Sequence, residues 1–94
     1  MVTNYVEVLA EAIRERVSPD KLPDENSRVL FRIYAVLAIA KGDEVTVEDV
    51  HAAWSAWMTG VDPTHPALVP FDQLSHDAVE ADRPYVDAIR EASK

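Results

Sequence analysis

The sequence predicts an all-α fold: a compact single domain of four to five short helices with an ordered proline-rich loop. Three observations carry this expectation. Apolar residues recur at helical spacing in the segments between breakers. Asn, Thr, Ser and Asp stand where helix N-termini need caps. The run Val45 to Val47 gives the one hint of a strand, and it reads better as the entry to a helix. At 94 residues the chain is expected to form one domain, 1–94, able to fold around its own core without a metal or a disulfide.

The first helix is expected over about Tyr5 to Val17. Asn4 is its N-cap with Glu7 three residues on, the spacing of a capping box, and Tyr5, Leu9, Ile13 and Val17 recur as one buried stripe. Glu7, Glu11, Arg14 and Glu15 take the solvated face. Ser18-Pro19-Asp20-Lys21-Leu22-Pro23-Asp24 then breaks the helix. A second helix, about Ser27 to Lys41, is apolar nearly all round and is therefore expected at the centre, with Gly42 as its stop. Arg28 and Arg32 sit one turn apart on it, either paired with local acids such as Asp24 or Glu25 or aimed together at an anionic ligand.

Thr46 as N-cap, Asp49 three residues later and Val45 placed to pack on Val50 announce a third helix, expected to stop at Gly60. Val47, Val50, Trp54 and Trp57 give it a core face, flanked by His51 and Met58. His51 is read either as a satisfied core histidine or as a ligand contact. Next come Pro63, Pro66 and Pro70, which forbid a regular helix while the apolar residues between them demand burial, so the loop must be ordered and packed. Ser75 can cap a short helical turn to about Ala81. Asp82 is then expected to cap a last helix with Pro84 in its tolerant first turn. Tyr85, Val86 and Ile89 form that helix's apolar side, and Asp87, Arg90, Glu91 and Lys94 its solvated one.

Composition excludes several functions. Seventeen acidic against nine basic side chains give a formal charge of -8, which repels phosphate backbones, so no nucleic acid partner is expected. The longest apolar stretch, Val29 to Ala40, is interrupted by Arg32 and falls short of the roughly 20 residues that span a bilayer, so no membrane is expected. The opening Met1-Val2-Thr3-Asn4-Tyr5 lacks a basic region followed by an apolar run, which points to the cytoplasm. With no cysteine there is no thiolate chemistry, and the spacings of His51, His65 and His76 match no helical metal pair. No serine has an elbow-like setting and two glycines cannot make a phosphate-cradling loop, so neither enzymatic activity nor a cofactor is expected.

His51-Ala52-Ala53-Trp54, then Thr64-His65-Pro66-Ala67-Leu68-Val69-Pro70-Phe71-Asp72-Gln73-Leu74, then Asp82-Arg83, taken in order over about residues 47–85, resembles the RyR domain of ryanodine receptors in its small stand-alone actinobacterial or phage form. The resemblance implies a helical ligand-binding or interaction module that senses a nucleotide-like small molecule, with His51, Trp54, His65, Phe71, Asp72 and Arg83 around one pocket. Arg83 or Arg32 would supply charge. The expected function is a non-catalytic binding module for a nucleotide-like anion; the alternative is a protein-interaction module with a host or self partner and no small ligand.

Overall fold

Four α-helices organise the described residues, 4–17 and 28–93, of the computed structural model: α1 (Tyr5–Glu15), α2 (Arg28–Lys41), α3 (Val47–Val61) and α4 (His76–Ala92). There is no strand among them. Single 3-10 turns, Gly42–Glu44 and Phe71–Gln73, sit between α2 and α3 and ahead of α4. The proline break after Val17, the first turn expected at Ser27 and any pairing with Asp24 or Glu25 lie outside the described residues.

The helix starts follow the sequence closely. Asn4 Oδ1 accepts the Glu7 amide at 2.9 Å. Thr46 and Asp49 complete a reciprocal capping box, and Ser75 Oγ accepts the Ala78 amide at 3.2 Å. Gly42, at φ 60°, turns the chain after Lys41 in a conformation that L side chains rarely adopt. Val45 and Val50 then bury completely on either side of the Thr46 cap.

The α1 stripe is rotated from the expected one. Leu9, Ala10, Ile13 and Val17 are buried and Val6 packs beside them, while Tyr5 stays 67% exposed, because the apolar face formed by 6, 9, 10 and 13 leaves Tyr5 at its edge. Helix α2 does lie between neighbours, burying Leu30, Phe31, Tyr34, Ala35 and Ala38, but Val29, Val36 and Ile39 on its other side face outward. Helix α3 runs through Gly60 to Val61, since glycine weakens a helix by only about 1 kcal/mol and does not end one by itself.

At the C-terminal end the two short helices expected there are one. Ser75 starts α4, and the helix continues through Asp82 and Pro84 to Ala92. Proline removes one helical hydrogen bond, but burial of Val86, Ala88 and Ile89 beyond it holds the second half in line. Asp82 is accordingly a mid-helix residue and not a cap. Helix α4 packs on each of the other three, bringing Ile89 into the same core as Ile13 of α1. Arg90, expected in solvent, reaches back to the backbone ahead of α3.

Candidate functional site

The proline loop is built from successive turns, and its side chains hold it to α3. Asp62 Oδ1 accepts from the Thr64 amide and hydroxyl at 3.1 and 2.8 Å, and these two donors, the hydroxyl first, hold its carboxyl below the ordinary value. The His65 amide donates to Asp62 O and the Leu68 amide to His65 O. His65 Nδ1 accepts the Ala67 amide at 3.1 Å, which in the neutral ring leaves the proton on Nε2. His65 thus braces a turn of its own loop.

His51, buried at 5% exposure on α3, meets the loop from the other side. Its Nε2 stands 2.8 Å from the carbonyl oxygen of Val69; a carbonyl only accepts, so this nitrogen carries the proton. Ser55 Oγ lies 3.4 Å from the same nitrogen. Around the bond the rings close up: His51 stacks on Trp54 at 5.8 Å, Trp54 meets His65 edge-on at 5.0 Å, and Phe71 tilts against His51 at 6.4 Å. Four of the seven residues singled out from the sequence, His51, Trp54, His65 and Phe71, therefore form one cluster.

The other three stand apart in their contacts. Asp72 is exposed on the 3-10 turn. Arg83 Nε donates to Glu80 Oε2 at 2.8 Å on the outer face of α4. Arg32 donates to Glu7 of α1, so its partner is an acid of the neighbouring helix.

A second cluster, not legible in the sequence, lies on the α2 and α4 side of His51. Phe31, Tyr34 and Tyr85 pack as three rings at centroid distances of 5.7 to 6.3 Å. The Asp82 carboxyl is pushed above its ordinary value by burial, and His51 draws it partly back. The Tyr34 hydroxyl is pushed well up by burial, then by Asp82 and Tyr85. Asp82 had the outward signs of a helix cap, and no spacing rule connects it to a histidine on another helix.

Chemically, both imidazoles spend a nitrogen on the main chain and both candidate arginines are paired with glutamates. Among the described residues no group of three or more His, Cys, Asp or Glu could hold a metal ion. No helix among them is long and apolar enough to cross a membrane.

A family model described as a domain of unknown function, DUF7701, matches residues 4–94. The chain belongs to the DUF7701 family. This corrects the RyR resemblance: the DUF7701 match covers α1 and α2 as well as the 47–85 segment on which the resemblance rested. The shared-looking motif has a local physical cause, because a loop with prolines at 63, 66 and 70 needs turn-forming Asp and His and a donor on the adjacent helix to seat it. No curated protein and no solved structure matches this DUF7701 chain.

Proposed function

We propose that this DUF7701 domain is a non-catalytic protein-interaction module acting in the cytoplasm. The observation that carries the reading is the outward face of α2, where Val29, Val36 and Ile39 are each more than half exposed on a helix whose opposite side is fully packed. Scattered apolar residues on a surface are ordinary, but these three repeat within three turns of one helix, and such an apolar face is suited to a partner. The nucleotide-anion reading rested largely on the RyR resemblance, and the charges it needs are engaged elsewhere. Its candidate charges, Arg32 and Arg83, are both occupied by carboxylates.

The test is affinity capture with wild-type protein and Val36→Asp in parallel, alongside thermal shift with a panel of nucleotides. A defined protein retained by the wild type and lost from Val36→Asp supports the module. Equal capture by both, with a saturable nucleotide-dependent rise in melting temperature that His65→Ala abolishes, overturns it in favour of a small anion.

A further inference from the structure

Every buried residue among those described lies either between Leu9 and His51 or between Val86 and Ile89. From Ala52 to Tyr85 none is buried, although that stretch holds both tryptophans of the chain. On α3, Trp54, Trp57, Met58 and Val61 fall at offsets 0, 3, 4 and 7 and so make one stripe of the helix. The two tryptophans pack against the core, Met58 is half-buried and Val61 is 51% exposed, so the stripe runs out past the core toward the end of α3. The proline loop lies beside it, held by the His51 to Val69 bond and the Trp54 to His65 contact, and its Leu68 and Phe71 are only half-buried too. Aromatic and aliphatic surface of this kind ordinarily closes a core; here it forms a lobe that stays open.

The charge around this lobe has one sign. From Gly42 to Asp82 the chain has neither lysine nor arginine. Asp62 follows Val61, Asp72 follows Phe71, and Asp77 stands in the first turn of α4. All three are exposed, and among the described residues none of them is in an ion pair, unlike Glu80, which holds Arg83. His65 brings no charge to Asp62, because its Nδ1 accepts the Ala67 amide. We infer that the lobe formed by the second half of α3 and the proline loop docks a basic apolar segment of another protein, with apolar anchors on the Trp57, Met58 and Val61 stripe and Arg or Lys against Asp62, Asp72 and Asp77. This goes beyond the α2 reading: it is a second surface, made of other residues. Carboxylates without an internal cation are available to one from outside, and such rim charges steer encounter and fix register. Arginine suits both parts of the lobe, since a guanidinium stacks on an indole and forks onto a carboxylate.

The same charges argue against other occupants. A second copy meeting this lobe across a two-fold axis would set Asp62, Asp72 and Asp77 against their own counterparts, with no lysine or arginine of the 42–82 segment to receive them. Nucleic acid and anionic bilayers carry phosphates, which the three carboxylates repel.

The experiment is a displayed library of tryptophan-free peptides with Leu and Phe anchors and flanks randomised among Asp, Glu, Lys, Arg and Ser, selected on the intact protein. Enrichment of Arg and Lys flanks is expected. Trp54 and Trp57 are the only tryptophans, so a selected peptide seated on this lobe must shift the protein's emission, which gives the titration its readout. The double variant Asp72→Lys/Asp77→Asn should weaken that binding roughly tenfold or more, and added salt should weaken it further. Val61→Ser should weaken it as well, whereas Val36→Asp on α2 should leave it unchanged. These substitutions fall on exposed residues, and melting near the wild-type temperature will show that the fold is intact. Enrichment of Asp and Glu flanks, or no enrichment, overturns the inference. So does a dimer in sedimentation that Val61→Ser dissolves. Peptides that bind without moving the tryptophan emission and are lost on Val36→Asp would overturn this surface and leave the α2 face standing.

Discussion

Arg90 on α4 donates through Nε and Nη2 to the carbonyl oxygen of Val45, at 2.9 and 2.7 Å. Val45 has no exposed surface and precedes the Thr46 cap, so one side chain near the end of α4 fixes the junction between α2 and α3. Removing it leaves a main-chain oxygen with poorer partners. Arg90→Ala should destabilise by about 1.5–3 kcal/mol, the range for hydrogen bonds to charged groups. In a domain of this size each kcal/mol is worth roughly 4–8 °C of melting temperature. Arg90→Lys should recover only part of it, since an ammonium cannot reproduce the two-donor fork. Melting of both variants at wild-type temperature would show that the contact contributes nothing.

The His51 to Val69 bond is the central attachment of the proline loop. His51→Leu keeps most of the packing volume and deletes the donor, leaving the Val69 carbonyl without it. Hydrogen exchange should then quicken at the Leu68, Gln73 and Leu74 amides, which are bonded within the loop, with little change at buried α1 positions such as Ile13. Uniform acceleration over the whole chain would mean that His51 supports the global core and not the loop.

Asp82 gives a pH dependence. Burial raises its carboxyl above the unfolded value, so folding favours the protonated form and the ionised form costs stability at neutral pH. That cost disappears as pH falls through the raised value. Asp82→Asn, which carries no charge at any of these pH values, should therefore melt above the wild type at pH 7 and lose its advantage on acidification. An advantage that grew toward low pH would refute the assignment.

Asp49 behaves with the opposite sign. Burial pushes its carboxyl up, but the Thr46 amide and hydroxyl and then Lys41 outweigh it, and the net displacement is downward. Its contribution is thus complete above the ordinary carboxylate value of about 3.9 and lost as pH falls through its lower folded value. Thr46→Ala, which removes the other half of the capping box, should cost about 0.5–2 kcal/mol at pH 7. Thermal melts from pH 7 down to acid should show the Asp49→Asn penalty shrinking as the wild-type carboxyl protonates.

What the sequence revealed were features written in adjacent residues. Asn4, Thr46 and Ser75 mark helix starts because a cap acts within three residues, and Gly42 marks a stop because the turn needs its positive φ. The His51, Trp54, His65 and Phe71 cluster was reachable for a similar reason: α3 and the loop after it are consecutive, so their side chains can meet only nearby. The rest depended on packing between distant segments. Whether Arg32 reaches a local acid or Glu7 of α1, whether Arg90 is solvated or bonded to Val45, and whether Pro84 begins a helix or sits inside one are decided by neighbours brought up by the fold. The even apolar content of α2 hid its exposed side, because a helix with three neighbours and one open face reads the same as one buried all round.

The meeting of α1 and α4 in one core also sets the order in which the protein can form. Ile13 and Ile89 are both without exposed surface in the same cluster, and nearly the whole sequence separates them. During synthesis α1, α2 and α3 can pack on one another before α4 emerges, but the part of their apolar surface that Val86 and Ile89 cover stays open until then. Completing the core therefore requires a pairing across most of the sequence, the kind of non-local contact that slows folding.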